Sequence, residues 1–334
     1  MDTYDITIVG GSGFLGSKLA KHLSNKFRVK VIDLKPIPDD LKGDVDFQKI
    51  DIRNCESVQE AIRNAELVIH TAIIGIPRIN EEKRLGYEVN VIGAQNVCEA
   101  VIKNDAAKGL ILTGTWHIFG EWGLNGTISE EFGCRPDKVE ERARYYALTK
   151  TVQENVVRIY DEAYEKIFGI VRCGTILGEG MSEKTAANTF ISNALEGKPI
   201  TPYRHSLYRP MLYVDSGDVC KAFEIYAKKI LNNEIEDRRK SLAHIVNFAW
   251  SKPITILELA EIVRDAVTRC SCGETVPAIE IVDKGLPDIY QGSVNKPVTL
   301  SLGRASKLLE IKSLTDPKGS IESLVKSRML RSKD

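Results

Sequence analysis

The sequence predicts an α/β protein with a doubly wound parallel sheet, and three observations carry that prediction. Short β-branched runs alternate with amphipathic stretches of helical period through the first half of the chain. The first of those runs ends in a glycine-rich turn that opens a helix. A length of 334 residues with 43% hydrophobic content is enough for one layered domain and a smaller second lobe.

The elements follow in order. Residues 5–9, 28–32, 66–71, 109–113 and 168–172 are rich in Ile and Val and read as strands, while 15–24, 56–64, 82–103 and 139–165 read as helices, each forming a right-handed crossover. Beyond Arg172 the alternation loosens into 174–180, a helix over 185–195 and an irregular segment over 197–210. Strands are expected at 211–214 and 244–248 and a helix at 254–267. The charged run 232–240 reads as a solvated loop, since mixed charges without apolar periodicity rarely pack. The expected division is residues 1–173, rejoined by about 212–250, as the sheet domain, with 174–211 and 251–334 as a discontinuous C-terminal lobe.

Composition excludes several classes of partner. Lys plus Arg and Asp plus Glu number 46 each, so no net charge marks the chain for nucleic acid or anionic lipid. No stretch approaches the roughly 18 unbroken apolar residues of a membrane span, and the N-terminus does not read as a secretory leader. A cytoplasmic protein with a small-molecule substrate is expected. Seven scattered cysteines fit reduced thiols, and the five histidines are not spaced as ligand pairs, so no metal is expected.

The turn Gly10-Gly11-Ser12-Gly13-Phe14-Leu15-Gly16 lies between a strand and a helix and satisfies G-x-G-x-x-G. Its glycines permit a tight turn, let backbone N–H groups approach a pyrophosphate and bring helix onto strand, with the positive helix end on the anion. Asp33 stands twenty residues after Gly13 at the end of the second strand, where an acid meets the ribose hydroxyls of a dinucleotide. This is the pattern of a Rossmann sheet. A carboxylate at that position repels a 2′-phosphate and no Arg follows it directly, so NAD is expected rather than NADP.

Tyr146 and Lys150 form Y-x-x-x-K, a pair that chance alone supplies about once in a chain with this many Tyr and Lys. Position gives it meaning, because i, i+4 spacing on a helix puts both side chains on one face. Together with Asp51-Ile52, His70-Thr71-Ala72, Asn90-Val91-Ile92-Gly93, Leu112 to Gly120 and Glu154, these residues resemble the extended short-chain dehydrogenase/reductases. The likeness is to their NAD-dependent epimerase/dehydratase family, of UDP-galactose 4-epimerase type. Arg172 with Gly178, Tyr213 to Asp215 with Asp218-Val219, and Thr255 to Leu259 extend it over nearly the whole chain.

The resemblance implies roles residue by residue. Tyr146 is the acid/base, Lys150 its activator and ribose anchor, and Thr115 the hydroxyl partner that also meets the substrate. Gly10, Gly13, Phe14, Leu15 and Gly16 surround the pyrophosphate; Asp33, Asp51 and Ile52 lie at the adenosine end; Ala72, Asn90 and Thr113 line the rest of the cofactor site. A free tyrosine has a pKa of about 10, which a neighbouring ammonium and the nicotinamide cation are expected to lower by about 1 to 3 pH units.

Among relatives, 4,6-dehydratases follow the threonine with Asp-Glu, where this chain has Trp116 and His117, so elimination of water is disfavoured. Epimerisation needs only the tyrosine, the hydroxyl residue and NAD. Arg209 falls where nucleotide-sugar epimerases carry an arginine for the diphosphate, and Thr175 replaces their substrate-binding Asn. Residues 204–208 and 286–288 also depart from the epimerase pattern. A nucleotide-sugar epimerase is the expected function; an alcohol dehydrogenase resembling L-threonine dehydrogenases, or a non-catalytic NAD-bound protein, is the alternative. The long helices 82–103 and 139–165 resemble those through which relatives dimerise, so a homodimer is expected.

Overall fold

The computed structural model describes residues 3–235, 242–288, 290 and 298–331. Ile6, Ile8 and Val9 of the first strand are fully shielded from solvent, which requires cover on both faces of the sheet they join. Seven strands build it: β1 (Tyr4–Val9), β2 (Val29–Asp33), β3 (Asp46–Lys49), β4 (Ala65–His70), β5 (Gly109–Thr115), β6 (Ile167–Cys173) and β7 (Ile245–Phe248). All neighbours pair in parallel, in the order β7-β6-β5-β4-β1-β2-β3. The order reverses between β1 and β4, and this switch point opens a crevice beyond the carboxyl ends of both strands.

Helices α1 (Phe14–Leu23) and α6 (Ser216–Leu231) bury Leu19, Leu23, Phe223 and Tyr226 on one face of the sheet. The other face is covered by α2 (Cys55–Ile62), α3 (Ala94–Lys103) and α4 (Glu141–Ala163) through Val58, Val97, Val101 and Val157. A third cluster lies in the C-terminal lobe. There α5 (Ala186–Leu195), α7 (Ile256–Cys270) and α8 (Pro317–Arg331) close around Phe190, Leu259, Val263 and Ile321, with Trp116 and Phe119 reaching in from beyond β5.

The structure corrects several expected elements. The helix expected over 82–103 is broken into Arg78–Glu81, Lys83–Tyr87, a wide-turned π segment Glu88–Gly93, and α3. At its centre Asn90 turns inward to bond the Ile74 backbone, and π turns of this kind occur often at functional sites. Strand β3 was not expected, because an exposed edge strand carries little hydrophobic signal. The strand expected at 211–214 divides: Pro210–Met211 pairs antiparallel with Ile254–Thr255, and Tyr213–Asp215 pairs in parallel with Thr175–Leu177, both outside the central sheet. Thr255 is extended and starts α7 with a capping box to Glu258. Within the charged run 232–240, residues 236–240 lie outside the described residues.

Candidate active site

The glycine turn follows from backbone geometry. Gly10 takes φ +83°, and a Cβ there would lie 2.4 Å from the Ala72 amide nitrogen, so only glycine lets the turn pass under the loop after β4. A Cβ on Gly16 would lie 2.2 Å from the Gly10 carbonyl, which is why α1 seats this close to β1. Thr71 donates its hydroxyl to the Val9 and Gly10 carbonyls at 2.9 and 3.0 Å and fixes the turn.

Gly13 caps α1 without a side-chain hydrogen bond. The first N–H groups of a helix have no intrahelical partner, so the turn presents donors and a positive helix end to an anion. Phe14 and Leu15 begin that helix, Leu15 buried and Phe14 half-buried under the Lys18 ammonium at 5.6 Å. At the tip of β2, Asp33 accepts the Ser12 and Lys35 amides at 3.0 and 2.9 Å, which holds its carboxylate across the turn. Uncapped donors at one end and an oriented carboxylate beside them fit a dinucleotide.

Further residues are placed around the crevice. Asp51 chelates Arg53, with Oδ2 at 2.6 Å from Nη2, and that guanidinium holds the carboxyl below its usual range. Ile52 is buried against Gly93. Asn90 is fully buried with its amide committed to the Ile74 backbone and the Thr149 hydroxyl, so it acts on the crevice through the 72–76 loop. Thr113 offers its carbonyl to Lys150 at 2.7 Å.

Tyr146 and Lys150 share one face of α4, and Thr115 closes β5 opposite them. Burial pushes the Tyr146 phenol up to about 12, although the nearby Thr115 hydroxyl favours ionisation. The lowering expected from sequence includes the nicotinamide cation, a charge that the chain by itself does not supply. The Lys150 ammonium points instead to the Thr113 carbonyl and Gln153 Oε1, and burial lowers its own pKa to about 8. Thr115 Oγ1 lies 3.2 Å from His117 Nδ1, and the His117 ring meets Tyr146 edge-on at 5.7 Å. Burial pulls His117 down to about 4, so it is neutral near pH 7.

Thr175 accepts the Trp116 indole N–H at 3.3 Å. Arg209 is buried and three of its five N–H donors meet carboxylates: Nε donates to Glu121 Oε2 at 3.0 Å, Nη2 to Glu121 Oε1, and Nη1 to Glu140 Oε2 at 2.6 Å. Tyr290 donates to Glu121 Oε2 at 2.5 Å. Burial pushes the Glu121 carboxyl up, but the charge of Arg209 and its hydrogen bonds hold it below its usual value. Sequence reasoning did not single out Glu121, Glu140, Tyr290 or Gln153. For Gln153 the available signal was a polar residue one turn after Lys150; Glu121 and Glu140 partner Arg209, and Tyr290 partners Glu121, over long sequence separations.

A glycine turn with uncapped donors, a fixed carboxylate beside it and a tyrosine one turn before a buried lysine are the features that nicotinamide redox chemistry requires. The profile of the NAD dependent epimerase/dehydratase family matches residues 6–237, and the chain belongs to that family. It is therefore an NAD-dependent enzyme, and Gly13, the start of α1 and Asp33 are the groups that fit its cofactor. A Methanocaldococcus jannaschii protein provisionally named UDP-glucose 4-epimerase is 26% identical over 272 residues, covering 78% of this chain and 82% of that protein. The D-erythronate dehydrogenase of Haemophilus influenzae is 27% identical over 197 residues, covering 57% of this chain and 60% of that protein. The UDP-glucose 4-epimerase of Thermotoga maritima, solved with UDP-glucose, shares the fold with a TM-score of 0.77 at 19% identity, covering 98% of this chain and 99% of that one. No helix among the described residues is long and apolar enough to cross a membrane.

Proposed function

We propose that this chain is a nucleotide-sugar epimerase of UDP-glucose 4-epimerase type, which oxidises a secondary hydroxyl of the sugar and returns the hydride to the other face. The observation that carries this reading is Tyr146 one turn before Lys150 on α4 with the Thr115 hydroxyl near the phenol, and Trp116 and His117, rather than two carboxylates, on the adjoining turn. NAD supplies the hydride acceptor. Tyr146 takes the hydroxyl proton as the C–H bond breaks and gives it back when the carbonyl is reduced, so no net redox change accumulates. Thr115 holds the same oxygen in line, and Lys150 anchors the nicotinamide ribose.

In this reading residues 1–173 with about 212–250 hold NAD, and 174–211 with 251–334 close over the sugar. Thr175 and Arg209 are the proposed substrate contacts on that side. We also propose a cytoplasmic homodimer, in keeping with free cysteines at all seven positions and with apolar residues exposed on α4.

One observation favours a second reading, net dehydrogenation of a small hydroxy compound. Arg209 is held by Glu121 and Glu140, and a diphosphate would have to displace both carboxylates to reach it. A panel of UDP-, GDP- and dTDP-sugars incubated with NAD, resolved by chromatography and mass spectrometry, separates the two. A product of unchanged mass without NADH supports epimerisation. NADH appearing only with small hydroxy acids or amino alcohols replaces it with dehydrogenation.

A further inference from the structure

Behind the nicotinamide end of the crevice lies a polar triangle that no motif contains. Its members are Lys150, Gln153 one turn along α4, and His70 at the end of β4, and all three are buried. Lys150 donates to the Thr113 carbonyl at 2.7 Å and to Gln153 Oε1, while Gln153 Nε2 lies 3.3 Å from His70 Nε2. We infer that Gln153 is a positioning residue for Lys150, an uncharged amide that fixes the ammonium without neutralising it and is itself oriented by His70. The inference rests on the proposed role of Lys150 as anchor of the nicotinamide ribose.

The donor inventory of the three side chains allows one arrangement. An ammonium only donates, so the amide oxygen of Gln153 must face it. The amide nitrogen then faces His70, and because that nitrogen also only donates, His70 Nε2 must carry a lone pair. Burial and the charge of Lys150 lower His70 to about 3, so the ring is neutral; its proton then sits on Nδ1, a buried atom with no hydrogen-bond partner among the described residues. Turning the amide over would set N–H against the ammonium. Two of the three ammonium hydrogens are thus fixed, and the third is left for the crevice.

Among the described residues no carboxylate pairs directly with the Lys150 ammonium, although the charge of Glu154 on the same helix favours it. On its own helix Glu154 is bound by Arg172 of β6 at 2.6 Å, and Tyr146 is a protonated phenol. From β6 the buried Cys173 thiol is pushed up to about 12 and stays neutral; from β4 comes neutral His70; from β5 comes the Thr113 carbonyl. Glutamate at position 153 would place a carboxylate directly on the ammonium, stabilising its protonated form while cancelling its charge toward the cofactor. An apolar residue would remove one acceptor and make the buried charge harder to keep.

The test is NAD affinity of the full chain by calorimetry from about pH 6 to pH 10. Affinity is expected to fall as Lys150 loses its proton. Gln153→Glu should move that fall upward by about one pH unit or more, a tenfold change at fixed pH on the limb, and Gln153→Met should move it downward. Lys150→Met separates the two levels of argument: if it keeps the wild-type pH profile, the ribose-anchor role is wrong. If it abolishes the fall while both folded Gln153 variants superimpose on wild type, the inference is overturned. A measurement on the wild-type protein stands apart from any folding defect. The ¹⁵N shifts of the His70 ring should show a protonated Nδ1 and a bare Nε2, and a protonated Nε2 overturns the arrangement.

Discussion

Tyr146 is held between opposing influences, with burial against ionisation and the Thr115 hydroxyl in its favour. In the proposed reaction the phenol oxygen carries the proton transfer. Tyr146→Phe should lower turnover by about 10²- to 10⁴-fold while NAD affinity, measured by calorimetry, stays near wild type. Unchanged turnover would remove Tyr146 from the mechanism. Arg209 gives a second test at this scale. Glu121→Gln removes one of the two carboxylates that hold it, leaving Glu140 as partner. If the substrate is a nucleoside diphosphate sugar, UDP should bind this variant about tenfold more tightly, because the diphosphate then competes with one charge instead of two. Weaker or unchanged UDP binding in a folded variant would favour a substrate without a diphosphate.

The strand-turn-helix unit from β1 through α1, with Asp33 at the tip of β2, is the unit proposed to set cofactor choice. The Asp33 carboxylate is fixed by two backbone amides and cannot swing aside. A 2′-phosphate close to it meets like charge, worth a few kcal/mol at an effective dielectric near 20. Asp33→Ser should therefore reduce the preference for NAD over NADP by at least about tenfold, read as the ratio of the two dissociation constants; an unchanged ratio would place the ribose elsewhere. This unit was legible in the sequence because its strand, glycines, helix and acid follow one another at short spacings. So were Tyr146 and Lys150, four residues apart on one helix. The partners of Arg209 were not, since Glu121 and Glu140 are 88 and 69 positions away and read locally as surface charges. Gln153 was hidden for a related reason: a polar residue in a helix pattern reads as solvated, yet this one is buried against Lys150 and His70. The break near Asn90 was equally invisible, because a tertiary bond to the Ile74 backbone, not local propensity, creates it.

Across the whole molecule, two features tie the layers together and outward. Arg172 joins three parts of the fold, donating to Glu154 of α4 at 2.6 Å and to the Glu130 carbonyl at 2.9 Å, while the Glu130 carboxylate takes the Asn247 amide of β7 at 2.8 Å. Both charges of the Arg172–Glu154 pair are almost wholly buried. Arg172→Leu strands Glu154 without its counter-charge and should cost about 3–5 kcal/mol in urea unfolding, whereas Arg172→Met combined with Glu154→Leu should recover much of that loss. The outward feature is the exposed side of α4. Leu148 and Ile159 are separated by eleven residues, three turns, and so lie on one face, 44% and 62% exposed, while Ile92 beside α3 is 41% exposed. Helices α3 and α4 pack side by side, so two copies meeting through this surface would form a four-helix arrangement. A stable dimer buries about 800 Å² per partner, and these three side chains would form the apolar centre of such a surface. Light scattering of the full chain should give twice 37.2 kDa. Leu148→Glu with Ile159→Glu should return it to one chain, because charges facing each other across the twofold repel. NAD affinity should survive that change, since neither side chain belongs to the crevice. A wild-type protein that is monomeric at micromolar concentration would mean that these residues are ordinary exposed apolar surface.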